Sequence, residues 1–232
     1  MDAERLVLAQ GMRDSRLALR RWQHDPLRVV GPWLVVSMLI TGGVLLAVLV
    51  IATLSAPDAT RFALPGLTAP AAAADYADLL YRNSLVLALH AMACVAGFLA
   101  GSSLPIAAAG RSGLDRWVHE RAGPLAIGFV VCATTFSLVT QAFTIGASAS
   151  TLSAQLGISP GVLLLGLLPH ALPELGALFL PLGAWLLASR HGRWDELLAA
   201  TVVTVGLAVP MLLASAAVEL WISPELLRAL AG

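Results

Sequence analysis

The chain has 232 residues, of which 58% are hydrophobic and only 12% carry a charged side chain. Soluble domains carry about 25% charged residues, so this composition excludes an ordinary water-soluble enzyme. Acidic and basic residues balance at 14 each, and every basic residue is an arginine. Because no basic tract is present, nothing in the charge pattern indicates nucleic acid as a partner.

Residues 1–28 are predicted to form an amphipathic helix on the cytoplasmic side of a membrane. At 100° per residue, the apolar side chains of Leu8, Met12, Leu19 and Trp22 fall on one arc, and four arginines fall on another. Such a helix suits a membrane surface or the groove of a partner protein. A simple cytoplasmic anchor that flanks the first span is the alternative.

The remaining apolar residues are gathered into five blocks, and a spanning helix needs about 20 apolar residues. The predicted spans are 29–54, 83–109, 124–145, 161–189 and 197–222. The fold class is therefore predicted to be an all-α polytopic membrane protein with one transmembrane domain at 29–222. Residues 223–232 are predicted to form a short outer interfacial helix, because Ser223-Pro224-Glu225 is typical of a helix start.

The arginines predict the orientation of these spans. Eleven arginines lie in the amino-terminal segment and in the loops 110–123 and 189–196, against three on the opposite side. Cytoplasmic loops are enriched in basic residues, so the amino terminus is expected in the cytoplasm and the carboxyl terminus outside. The loop 55–82 is then the longest outer loop.

Polar side chains inside the predicted spans need a reason, because ionisable groups in hydrocarbon are costly unless paired or hydrated. Counted from the span ends, all of these groups fall in the outer half of the bilayer. They predict one polar pocket, open to the outside, that binds a partner or a substrate. Its predicted members are Asn83, His90, Gln141, His170, Glu174 and Glu219.

Span two also carries a pattern of small residues. Gly97 and Gly101 lie on the same helical face as His90. A GxxxG pair allows another helix to approach closely, so both glycines are predicted to serve helix packing.

Span four holds the most informative segment. His170 and Glu174 are at i and i+4, so a helix places them within hydrogen-bonding reach. Pro169 and Pro173 each remove a backbone donor and bend the helix, and Pro181 and Gly183 weaken it again. A kinked, broken or partly re-entrant helix is therefore predicted.

Three roles are open for these polar residues. They can form a hydrogen-bond network that fixes helix register, or a path for protons or substrate. They can also do chemistry, with His90 and His170 as acid and base beside Glu174, or with the same residues as zinc ligands. Because the sequence has no HExxH, Walker A or GxSxG motif, no metal or cofactor is predicted, and any ATP use needs a partner.

The sequence also resembles the stage II sporulation protein M family. The run from Leu168 to Ala177 resembles that family's PHGxxELxA segment, with Ala171 in place of the usual glycine. The run Ala216-Ala217-Val218-Glu219, followed by Ser223-Pro224, is similar to the family's AAxxEAxxTP ending. Arg82-Asn83-Ser84-Leu85 is similar to the start of its second span.

The resemblance implies a five-span protein of the bacterial cytoplasmic (inner) membrane with a cytoplasmic amino end. In the sporulation system, the family member is a scaffold that recruits peptidoglycan-degrading enzymes. Asn83, His170, Glu174 and Glu219 match the family pattern without an assigned catalytic role.

A scaffold that binds protein partners through the polar pocket and the outer loop is the first functional expectation. Besides the lipid bilayer, the expected partners are a membrane or extracytoplasmic enzyme, or a cytoplasmic ATPase, and a homo-oligomer is left open. One alternative is a permease or exporter subunit whose loop 110–123 docks an ATPase. Another is a membrane-embedded acid–base enzyme that acts on a peptide or lipid through His90, His170 and Glu174.

Overall fold

A computed structural model of the chain describes residues 3–59, 62, 64–104 and 112–231, without the side chains of 3–8 and 114–120. Within these ranges the chain forms helices and no β-strand. In chain order the helices are α1 (Ala3–Trp22), α2 (Pro26–Leu54), α3 (Ala73–Phe98), α4 (Gly113–Leu156), α5 (Pro160–Leu178), α6 (Leu180–Arg190), α7 (Leu197–Trp221) and α8 (Ser223–Ala231). A π-helical turn at Leu99–Ser103 continues α3, and a 3₁₀ turn at Trp194–Glu196 leads into α7.

Five helical segments among the described residues are long and apolar enough to cross a membrane. They are Pro26–Leu54, Ala73–Ser103, Arg121–Leu156, Pro160–Leu178 and Trp194–Ala231. The predicted all-helical class and the presence of five membrane-spanning candidates are therefore confirmed at this level. The chain has the architecture of a multi-pass membrane protein.

Two helices extend well beyond the spans that hydropathy predicts. The second spanning helix, α3, begins at Ala73 instead of 83. The Asp75 side chain in its first turn accepts a hydrogen bond of 2.8 Å from the N–H of Ala72, the residue before the helix. The third spanning helix, α4, continues to Leu156 instead of ending near 145. Backbone hydrogen bonding sets where a helix ends, so polar and small residues can prolong it past the apolar block.

Gly157 gives the end of α4 a physical cause. Its φ of 68° is in the left-handed region, which glycine adopts at no steric cost. The N–H of Ile158 donates to the carbonyl of Ser153, and the N–H of Gly157 donates to the carbonyl of Ala154. This pair of bonds is the Schellman motif, which satisfies carbonyls that the helix end leaves open.

The predicted fourth span is interrupted beside Pro181, not at Pro169 or Pro173. Helix α5 passes through both Pro169 and Pro173 as regular helix, and the break lies at Phe179, with φ −92° and ψ 0°. Helix α6 starts one residue later, and Pro181 stands in its first turn. A proline is tolerated there because the first-turn N–H groups have no helical partner.

The chain divides into two compact units. Unit 1 comprises 1–37, 87–135 and 179–207, and unit 2 comprises 38–86, 136–178 and 208–232.

In unit 1, helix α1 buries a face of small residues and one tryptophan. Gly11, Ala18 and Trp22 are buried, and the Trp22 ring meets Trp33 edge-on with centroids 5.3 Å apart. Met12 and Leu19 are exposed, so the predicted apolar arc covers only part of the packed face; the side chain of Leu8 lies outside the described set. Small residues form this contact because they let the helix axes approach closely.

In unit 2, helix α8 packs along α5. A β-carbon at Gly166 would come within 2.7 Å of Leu227, so glycine makes this approach possible. The loop before α3 is tied to α4 by polar contacts. The Thr151 hydroxyl accepts a bond of 3.0 Å from the Asp58 N–H, and the Ser150 hydroxyl donates to the Ser55 carbonyl at 2.8 Å. These contacts hold the loop against the carboxyl end of α4.

Candidate functional site

A cavity of about 310 Å³ lies inside unit 2 and combines apolar walls with a polar end. Its wall residues are Leu45 and Val48 of α2, Ile145, Ala149 and Leu152 of α4, Leu164, Leu167, Ala171 and Leu175 of α5, Leu220 of α7, and Pro224 and Leu227 of α8. Its polar residues are His170, Glu174, Glu219 and Ser223. The arrangement suits a ligand with an apolar body and one polar or charged end.

The polar end is built by α5 on one side and by the end of α7 and the start of α8 on the other, which place matched residues opposite each other. His170 Nδ1 and Ser223 Oγ are hydrogen-bonded at 2.7 Å. One helical turn further along α5 is Glu174, and one turn before Ser223 is Glu219. Four residues are about one turn of a helix. The two carboxyl groups therefore lie close together, one helical turn away from the contact between His170 and Ser223.

His170, Glu174 and Glu219 form one compact group. One nitrogen of the imidazole and one oxygen of each carboxylate all lie within 4.8 Å of one another. Glu174 is held from a third helix as well, because Asn83 Nδ2 donates to its Oε1 at 2.9 Å. The other oxygen, Oε2, is buried, and the carboxyl groups of Glu174 and Glu219 are close enough to share a hydrogen bond when one of them is protonated.

The loop before α3 closes one side of the cavity. Leu64, Pro65 and Leu67 contribute to the lining. Arg228 of α8 holds this loop, because its guanidinium donates to the carbonyl of Gly66. A β-carbon at Gly66, whose φ is 81°, would overlap the Leu220 carbonyl, so this tight turn requires glycine.

Three of the six residues predicted to share a pocket do not line this cavity, and of these only Asn83 contacts a residue that does, Glu174. His90 belongs to unit 1, where its fully buried ring meets Phe179 edge-on with centroids 5.3 Å apart. Gln141 is bonded within its own helix, because its Nε2 donates to Ser137 Oγ at 3.0 Å. The polar residues therefore divide into separate environments, and the cavity gathers His170, Glu174 and Glu219, with Asn83 bonded behind them.

Gly97 of α3 and Gly101 of the π-helical turn that continues it lie at close helix contacts in unit 1. A β-carbon at Gly97 would come within 2.7 Å of Leu197 and 2.8 Å of the Trp185 ring. The corresponding position at Gly101 is filled by the Trp194 side chain. Both glycines thus lie where a larger side chain would displace a packed neighbour.

Some residues of interest carry no distinctive sequence signal. Ser223 reads as a helix cap, yet its hydroxyl contacts His170. Glu196 is buried in unit 1 between two arginines, 3.4 Å from Arg21 and 3.5 Å from Arg193. Arg193 and Glu196 are three residues apart, so their spacing could have indicated an ion pair. Nothing in the sequence indicates a remote partner such as Arg21.

Comparison of the chain with models of known protein families, with curated proteins and with solved structures gives no match.

Proposed function

We propose that this chain is a multi-pass scaffold of the bacterial inner membrane that binds a segment of a partner protein in the cavity of unit 2. One observation carries the proposal. The loop before α3, the carboxyl-terminal helix and the polar residues of α5 and α7, each a separate feature of the sequence, all line the same cavity. The likeness to the sporulation scaffold family points the same way.

The size of the cavity limits what it takes from a partner. A volume of about 310 Å³ accommodates one or two side chains and excludes a whole helix. Partner proteins commonly bind through a few anchor side chains in such desolvated pockets. The apolar walls fit a large apolar side chain of such a segment.

A photo-crosslinking residue placed at two positions of α5 tests this role in cells. Leu167 lines the cavity, whereas Leu165 lies on another face of the same helix with 63% of its surface exposed. We expect the probe at Leu167 to capture one discrete partner protein, identified by mass spectrometry, and the probe at Leu165 to capture none.

A blocked cavity provides the matched control for this experiment. With the probe moved to Leu64 in the loop, Ala171→Phe fills the cavity and should abolish capture, whereas Leu165→Phe should leave it unchanged. Capture that is equal at Leu167 and Leu165, or that survives Ala171→Phe, would contradict the proposed role.

A further inference from the structure

The His170, Glu174 and Glu219 group has the composition of a metal site. Imidazole nitrogen and carboxylate oxygen are both common zinc ligands, and three protein ligands with an open position are typical of reactive or exchangeable sites. The three side chains come from two helices that face each other, so the group is preformed by the fold. The cavity beside it leaves room for water or a ligand group to complete the coordination.

The ligand atoms are near enough for one ion to bind all three after the side chains close in. Two atoms bound at about 2.1 Å to a tetrahedral zinc ion lie about 3.4 Å apart. The three atoms lie within 4.8 Å of one another. Each atom therefore has to move toward the common centre by up to about 0.8 Å to reach tetrahedral spacing.

Charge gives a second reason. Two adjacent carboxylates in a low-dielectric site repel each other, and each is costly to bury alone. The carboxyl groups of Glu174 and Glu219 can relieve this repulsion by sharing one proton in a hydrogen bond or by binding a cation. One divalent cation would neutralise both carboxylates and coordinate the buried Oε2 atom of Glu174 at the same time.

Hydrogen bonds from neighbouring side chains orient two of the proposed ligands, as they do in known metal sites. Ser223 holds the His170 ring through Nδ1, and Asn83 holds Glu174 through Oε1. Such outer hydrogen bonds fix the ligands and commonly change metal affinity by about 10–100-fold when they are removed. Neither bond uses the Oε2 atom of Glu174, which stays available to a metal ion.

We propose that His170, Glu174 and Glu219 bind one divalent transition-metal ion, and that Zn²⁺ is the ion this donor set fits best. The nitrogen donor favours zinc over magnesium or calcium, which prefer all-oxygen sites. This inference is independent of the scaffold role, since metal binding is measured on the purified chain without any partner.

Metal content of the full chain tests the site directly. The protein is purified in detergent with a tag that contains no histidine, stripped with a chelator, and dialysed separately against Zn²⁺ or Mg²⁺. We expect about one zinc and no magnesium per chain by mass spectrometry of the metal. Replacing zinc by Co²⁺ should give visible absorption bands that disappear in His170→Ala.

The variants distinguish a specific site from adventitious binding. The Glu174→Gln/Glu219→Gln double variant should bind no zinc, whereas Glu225→Gln should bind as the natural chain does, because Glu225 is exposed and paired with Arg228. Ser223→Ala keeps all three ligands and should lower zinc affinity about 10-fold, which tests the site without removing a ligand.

Two results would overturn the metal site. One is a chain that retains its helical circular dichroism yet takes up no zinc after loading. The other is equal zinc content in the natural chain and in the double variant. Either result leaves the crosslinking test of the scaffold role unaffected, because that test scores a captured protein.

Discussion

His90 in unit 1 and His170 in unit 2 start from similar sequence settings and reach different environments. Both lie in apolar helical segments and have another reactive group one turn further on, Cys94 in the first case and Glu174 in the second. Around His90 the space is filled, since the ring meets Phe179 and the Cys94 thiol donates to the Pro181 carbonyl at 3.2 Å. Around His170 a cavity remains. The comparison teaches that the facing helix decides whether a buried histidine packs or binds.

Both units contain glycines at close contacts, such as Gly183 in unit 1 and Gly166 in unit 2. Unit 2 differs in that leucines and alanines from several of its helices also frame a cavity with a polar end. Added volume is therefore expected to be harmful at the close glycines of either unit, and changes in polar groups are expected to matter most in the cavity of unit 2.

The largest expected effect is overpacking at Gly183 in unit 1. A β-carbon there would come within 2.7 Å of the Trp33 carbonyl oxygen, which is backbone and cannot rotate away. We expect Gly183→Leu to cost about 3 kcal/mol or more and to prevent accumulation of folded protein. Fluorescence-detected size-exclusion chromatography measures the folded fraction.

Gly206→Leu is the matched control, since a β-carbon at Gly206 meets no atom within 4 Å. It should elute as the natural chain does. Equal loss of folded protein in both variants would show that close packing is not what distinguishes the Gly183 position.

The second effect compares the two histidines directly. His90→Ala removes a fully buried ring from a filled site and leaves a void, so it should lower the free energy of unfolding by about 3 kcal/mol. His170→Ala enlarges an existing cavity and loses one hydrogen bond, which should cost about 1 kcal/mol. Equilibrium unfolding in mixed micelles measures both, and a larger loss for His170→Ala would reverse the assignment of packing and binding roles.

The smallest effect concerns the tie between the loop and α8 in unit 2. Arg228 pairs with exposed Glu225 and donates to the Gly66 carbonyl, so Arg228→Ala should cost only about 0.5 kcal/mol. It should nonetheless increase cleavage of the loop in limited proteolysis. As a control, Arg82→Ala removes an exposed ion pair with Asp78 and should leave loop cleavage unchanged. Equally fast cleavage in that control would show that the loss of the contact between Arg228 and the loop is not the cause.

Part of the site could be predicted from local spacing. His170 and Glu174 share a helical face because they are four residues apart, and the structure keeps both on the cavity side of α5. The approach of Ser223 and Glu219 to them could not be predicted, because it depends on how α5 packs against α7 and α8. The break at Phe179 lies next to Pro181, one of the positions at which the sequence predicts a weakened helix, but the sequence does not show at which of its prolines the helix breaks.

Composition and periodicity alone determined that the chain is helical and has five segments able to cross a membrane. The reason is that a bilayer forces each span to satisfy its own backbone hydrogen bonds, and only a long apolar helix does so within one segment. The tertiary structure decided which polar residues meet. Two side chains on different helices come together only through the packing of those helices, and depth in a span does not specify rotation about its axis. The sequence assigned His90 and His170 to one pocket, and only packing placed one against Phe179 and the other beside two glutamates.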